Sequence, residues 1–219
     1  MPNTAKYQVT VENDSRVLVD GVPAYAFFAI DTPEPYVQTF TVTGQVSPVV
    51  YYDQGFGPEF LLAFAITAQI LNTSCQTLYA TMAEIVDETA IGPFTFTNIP
   101  PGSYILYLHR PGYLARTMAF TVSAGGPSTV TLEPPDGPVF TLKPGDVNGD
   151  GVVDMTDINL IDYTINTFTV PGFGEPGYDP AMDLNATGRV NVADIVVADA
   201  NLCARASDYP GFAGCVPRV

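Results

Sequence analysis

Tryptophan is absent from this chain, and histidine occurs once, as His109. Without an indole platform for stacking sugar, carboxylate couples such as Glu34 or Glu59 with Asp53 gain little support as a glycosidase acid and base. His109 sits beside Arg110 with no Ser or Cys and supporting acid around it, so it reads as a strand-end residue and not a general base. Positive charge is scarce: 8 Lys and Arg stand against 23 Asp and Glu, a net charge of −15. That balance argues against nucleic acid or an anionic membrane surface as partner. Long apolar runs are missing too. The longest, Phe60–Leu71, is 12 residues, too short to span a bilayer and better read as buried strand. Cysteine is limited to Cys75, Cys203 and Cys215. A Cys203–Cys215 disulfide is one arrangement open to the last two in an oxidising compartment, and it would tie the tail from Tyr209 to a preceding helix. Cys75 is expected to be a small buried apolar residue.

What is present is a segment rich in oxygen donors, repeated 37 residues later. The first copy runs Asp146-Val147-Asn148-Gly149-Asp150-Gly151-Val152-Val153-Asp154-Met155-Thr156-Asp157. Counting Asp146 as position 1, oxygen side chains fall at 1, 3, 5, 9 and 12, with glycine at 6 where the chain must turn sharply. In such loops position 7, here Val152, serves through its main-chain carbonyl. This is the donor spacing that a hard cation such as Ca2+ requires. The second copy keeps Asp183, Asn185, Gly188 and Asp194, with Thr187 at position 5, Arg189 at 7 and Asn191 at 9. Its neutral donors predict weaker calcium binding than in the first. A single loop of this kind could be an Asx-rich surface turn, but a register-matched pair is not explained that way. After each loop the apolar residues recur at helical spacing: Ile158, Ile161, Ile165 and Phe168, then Ile195, Ala198 and Leu202. No comparable helix precedes either loop, only Pro- and Gly-rich chain, so each unit is half of an EF-hand.

The run Gly145-Asp146-Val147-Asn148-Gly149-Asp150-Gly151, the Asp157-Ile158 pair and the degenerate second copy resemble a dockerin over residues 144–206. The resemblance implies two calcium loop–helix (F-hand) repeats and calcium-dependent binding to a cohesin module in an extracellular cellulosome, with no catalysis in this segment. It also implies a recognition surface at loop positions 10 and 11 and on the exposed helix. In this chain those residues are Met155, Thr156, Asn159, Asp162 and Tyr163, then Val192, Ala193, Val196, Asp199 and Ala200. Apolar Met155 and Val192 are similar to the apolar, type II-like dockerin class, and the inequality of the two copies favours one binding orientation.

Residues 1–143 have strand grammar. Runs at Tyr7–Val11, Phe40–Val42, Leu61–Ile70, Phe94–Thr97, Tyr104–His109, Thr117–Val122 and Thr129–Leu132 predict an antiparallel β-sandwich, giving an α+β chain overall. Gly92-Pro93-Phe94-Thr95-Phe96-Thr97-Asn98-Ile99-Pro100-Pro101-Gly102-Ser103-Tyr104, with Pro111-Gly112-Tyr113, resembles the carboxypeptidase-regulatory-like, immunoglobulin-like sandwiches and the X module that precedes apolar-class dockerins. The match spans 38–142, which leaves 207–219 as a C-terminal tail. Glu133–Pro138 is then expected to be a short, stiff connector between modules. Residues 1–37 fit less well: Val17–Pro23 reads as strand and turn and Ala24–Ile30 as a strand, either an added hairpin or an upstream remnant.

Two rivals remain at this level. The 12 tyrosines allow a carbohydrate-binding sandwich carrying a structural calcium module, and the loops could serve structure alone without a partner. No secretory leader is visible, Met1-Pro2 reads as a fragment start, and the need for calcium points to an extracellular setting.

Overall fold

The computed structural model describes residues 18–19, 22–23, 37–48, 65–83 and 91–215. The strand expectations at Tyr7–Val11, Ala24–Ile30 and residues 61–64, and the carboxylates Glu34, Asp53 and Glu59, lie outside them. By contacts the chain divides into two compact units, Met1–Tyr36 and Val37–Val219. Within the first, β1 (Leu18–Val19) pairs antiparallel with β2 (Val22–Pro23).

The second unit begins with two four-stranded sheets. One is built on β3 (Phe40–Ser47), which pairs antiparallel with β6 (Gly92–Ile99). The other has the order β5-β4-β7-β8 and is antiparallel throughout, from Ile66–Leu71 (β4), Thr77–Ala83 (β5), Gly102–His109 (β7) and Arg116–Val122 (β8). Alternation puts Phe40, Val42, Val46, Phe94, Phe96 and Ile99 of the first sheet in one core with Ile66, Ala68, Ile70, Leu106 and Leu108 of the second. Gly44 makes the room this needs, because a Cβ there would sit 2.3 Å from the Phe94 ring.

The sandwich departs from the purely antiparallel expectation at one edge. β9 (Thr129–Leu132) and β10 (Phe140–Thr141) both lie parallel to β3. The chain crosses from β8 in one sheet to β9 in the other and arrives alongside β3 running the same way. It also departs at Glu133–Pro138, which is not a connector between modules. That stretch links β9 to β10 inside the sandwich, held where Asp136 accepts a hydrogen bond and ion pair from buried Arg116. β5 carries little signal in the sequence because it is an edge strand whose apolar Leu78 and Met82 face solvent, so no apolar–polar alternation marks a buried side.

The junction with the C-terminal segment comes just after β10. Leu114 N donates to Lys143 O at 2.9 Å, and Gly145 N donates to Gly112 O at 2.8 Å. Two helices follow, α1 (Met155–Phe168) and α2 (Val192–Asp199), with a short 3-10 turn at Ala206–Asp208. The sandwich core continues without a break through Tyr113, Phe140 and Leu142 to Ile158, Ile161, Leu184, Val190 and Ala198. The second helix is shorter than its sequence pattern suggests. It ends at Asp199, and Leu202 lies beyond it in a turn that closes at Cys203 with φ +70°.

The disulfide expectation is also corrected: Cys75 is bonded to Cys215, and Cys203 is free and exposed. The tail folds away from α2 and back over the sandwich. Lys143 N donates to Tyr209 Oη at 2.6 Å and Ala213 N to Thr117 Oγ1 at 3.1 Å. Cys215 is thereby buried against Leu71, Ile105, Tyr107 and Ala115, on the outer face of the β4–β7–β8 strands. Cys75, expected in the core, instead occupies the β4–β5 turn at φ +63°.

Candidate metal centre and partner surface

The first loop is closed by Asp157. Its Oδ1 accepts from Val147 N (2.9 Å) and Asn148 N (3.0 Å), and its Oδ2 from Asp154 N (2.8 Å). Thr156 N donates in turn to Asp154 Oδ1 at 2.6 Å, so Asp154 and Asp157 form a reciprocal capping box that starts α1. Within the loop Asn148 Oδ1 accepts from Asp150 N (2.9 Å), and Asp150 Oδ1 from Val152 N (3.0 Å). Gly149 and Gly151 take φ of +72° and +86°, a left-handed path that strains any residue with a Cβ. Asp146 Oδ2 accepts from Gly151 N at 3.1 Å, whereas its Oδ1 is buried without a hydrogen-bond partner among the described residues. Burial, and then repulsion from Asp157 and Asp150, raises the Asp146 carboxyl to about 6. The Thr156 N–H holds half-buried Asp154 below the usual carboxylate range.

The second loop repeats these bonds at the same spacing. Gly188 N donates to Asp183 Oδ2 (2.8 Å), Asn185 N to Asp194 Oδ1 (3.2 Å) and Asn191 N to Asp194 Oδ2 (2.8 Å). Ala193 N donates to Asn191 Oδ1 (2.8 Å), which caps α2 in the same way. The interiors differ. Tyr178 Oη donates to Asp183 Oδ2 at 2.7 Å. The Asn185 amide is satisfied when its NH2 faces inward, donating to Thr187 Oγ1 (2.8 Å), Asp183 Oδ1 (3.2 Å) and Asp194 Oδ1 (3.3 Å). Burial raises Asp194 to about 6 and lifts Asp183 as well. Burial and the bond to Asp183 push the Tyr178 phenol upward. Sequence reasoning missed Tyr178, because the residue 37 positions earlier is Thr141 and the repeat gives no hint of it.

The two loops are braced crosswise. Val153, at position 8 of the first, bonds the chain after α2: Val153 N donates to Ala204 O (2.9 Å) and accepts at its carbonyl from Cys203 N (2.8 Å). Val190, the matching residue, donates to Pro171 O (3.0 Å) in the chain after α1. Val152 and Arg189, both at position 7, form β-bridges to Arg205 and Gly172.

The residues brought together at each loop are oxygen donors only, the chemistry a hard cation takes. Among the described residues no three His, Cys, Asp or Glu side chains are arranged to hold a metal ion by themselves, so amide and main-chain oxygens must complete either shell. Four aspartates, Asp146, Asp157, Asp183 and Asp194, are buried here, and an orphaned carboxylate oxygen at Asp146 is what a bound cation would satisfy. The residue set fits calcium.

All ten residues expected at the partner surface are exposed: Met155, Thr156, Asn159, Asp162 and Tyr163, and Val192, Ala193, Val196, Asp199 and Ala200. The reading of Met155, Val192 and Val196 as core is excluded, since they are 54%, 63% and 63% exposed. Phe168, placed on the apolar stripe of α1, also reaches solvent.

Residues 144–202 match the family described as dockerin type I domain. This segment is a dockerin. Over 180 residues, 81% of the chain, the protein is 27% identical to cellulosomal-scaffolding protein B of Acetivibrio thermocellus, and equally to cellulosomal-scaffolding protein A of that species. It spans 21% of the length of the first relative and 9% of the second. A chain of the type II cohesin–X-dockerin complex from Acetivibrio cellulolyticus, a C-terminal interface mutant, superposes with a TM-score of 0.56 at 20% identity, covering 78% of this chain and 99% of that one. That likeness establishes the shared α+β fold, sandwich followed by dockerin. Dockerin modules are calcium-binding attachment modules and not catalytic ones. Among the described residues no helix is long and apolar enough to cross a membrane.

Proposed function

We propose that this chain attaches the protein carrying it to a cohesin module of an extracellular cellulosome, in a calcium-dependent way and without catalysis of its own. The observation that carries this reading is the pair of register-matched loop–helix units whose helices leave Met155, Tyr163, Val192 and Val196 in solvent. Apolar side chains held out on a small module favour an interface. The family description is type I, but apolar residues at loop position 10 and the likeness to a type II complex support the type II class. The similarities to scaffolding proteins and cohesin complexes do not favour the carbohydrate-binding alternative.

The module plan we infer is 38–142 as an X-module-like sandwich, 144–206 as dockerin, 207–219 as tail and 1–37 as a separate segment. Calcium occupies both loops, with the first site tighter. The second already satisfies its carboxylates through Tyr178 and Asn185, and Asn185 must turn its oxygen inward to serve as a ligand. In the first, Asp146, Asn148, Asp150, Asp154, Asp157 and the Val152 carbonyl hold the ion. Neutralising the loop lets the start of α1 settle and aligns both helices for the partner. Substituting Met155→Asp or Val196→Asp tests the surface. Each is expected to weaken binding to a type II cohesin by about 1–3 kcal/mol while leaving calcium binding intact. Unchanged cohesin affinity in both variants places the interface elsewhere.

A further inference from the structure

Arg110 follows β7 at the end of the sandwich, yet it is fully buried. Its guanidinium carbon lies 4.2 Å from the centroid of the Tyr113 ring. Tyr113 Oη donates to Leu184 O at 2.6 Å, which is position 2 of the second calcium loop. Between them, Gly112 at φ +80° allows so close an approach that a Cβ would stand 2.1 Å from Ala181 O. The β7–β8 loop is therefore pressed onto residues 181–184, with the buried cation inside the contact.

Burying a guanidinium is costly unless anionic groups and ring faces offset the lost hydration. Here the ring is Tyr113, and the carboxylate on which the Arg110 charge bears is Asp183, which has no solvent exposure. Arg110 acts against the upward push of burial on Asp183 and on Tyr178. At the first loop, the charges bearing on Asp146 are like ones, Asp157 and Asp150. The two sites thus differ in more than their ligands.

We propose that Arg110 is a resident cation of the second calcium loop, a positioning residue supplied by the sandwich that keeps this loop folded without calcium and competes with the ion for its charge. This rests on the calcium reading above. The sandwich thereby preforms the second loop with a fixed charge, while the first loop waits for the ion.

The test uses the whole chain with Arg110→Met and Arg110→Lys, melted in calcium and in chelator, and titrated with calcium while the Gly151 and Gly188 amides are followed by NMR. Arg110→Met should lose more melting temperature in chelator than in calcium. It should bind calcium at Gly188 roughly tenfold more tightly, since a competing charge is gone, with Gly151 unchanged. Arg110→Lys, which keeps the charge, should follow the unsubstituted chain. Equal destabilisation of Arg110→Met in both conditions with an unchanged Gly188 titration overturns the proposal. So does an Arg110→Lys variant that behaves like Arg110→Met, or an Arg110→Met chain that stays unfolded even in calcium. An unsubstituted chain indifferent to calcium overturns the calcium reading and this inference together; a calcium response in it with failure only in the variants overturns this inference alone.

Discussion

Asp146 and Asp183 occupy the same loop position and are both buried, but their second oxygens fare differently. Asp183 is reached by Thr187 N, Gly188 N and the Tyr178 phenol, whereas one oxygen of Asp146 has no partner among the described residues. Leaving a buried carboxylate oxygen unpaired costs about 1–3 kcal/mol, which a cation can recover. Asp146→Ala should accordingly reduce overall calcium affinity and cohesin binding more than Asp183→Ala. Isothermal titration of both variants decides it, and equal losses contradict the ranking. The same burial fixes a pH dependence for the calcium-free chain. Asp146 and Asp194 titrate near 6 when folded, above the ordinary value of 3.8, so the folded state binds more protons than the unfolded between those values. Stability in chelator therefore falls as pH rises through this window, and melting should occur at a higher temperature at about pH 5 than at about pH 7.5. A chelated chain more stable at the higher pH refutes the sign.

At the scale of elements, the tail from Cys203 to Cys215 is a strap over the first loop and the sandwich. It pairs with Val153, presents Ala206 N to Gly151 O at 3.0 Å, buries Tyr209 and ends in the bond to Cys75. That bond joins residues 140 apart, a loop whose closure entropy corresponds to about 4–5 kcal/mol. Replacing Cys75 and Cys215 together by Ser should remove a comparable share of the unfolding free energy, measured in denaturant; a loss below about 1 kcal/mol shows that the tail docks without the bond. The strap also marks the limit of what the sequence reveals. Loop positions 1, 3, 5, 6, 9 and 12 and the stripe Ile158–Ile161 are local patterns, so the calcium loops and α1 are readable from the chain alone. The pairing of Cys75 depends on a tail crossing the outer sheet face, a contact between distant segments with no periodic signature. Helix α2 stops early for a similar reason: the chain after it must turn back to meet Val153, which overrides the apolar spacing that runs on to Leu202. β9 and β10 look like ordinary strands in sequence, and only their crossing between sheets makes them parallel to β3.

On the scale of the whole molecule, Val37–Val219 forms one compact unit whose core runs from Phe94 through Tyr113 and Leu142 to Ile161 and Ala198. A shared core means that the sandwich contributes directly to the folding of the dockerin, with Leu114 and Tyr113 packed on the two calcium loops. The net charge of −15 adds self-repulsion that bound calcium relieves. On the proposed reading, calcium completes the fixed arrangement of Met155, Tyr163, Val192 and Val196 that the preformed second loop begins, and partner binding should be lost when calcium is removed. The most direct measurement is calorimetric titration of the chain with type II cohesin, first in millimolar calcium and then in excess chelator. The account predicts saturable one-to-one binding in calcium and none in chelator, restored when calcium is added back. Equal affinity in both conditions, or no binding in calcium to any type I or type II cohesin, contradicts it.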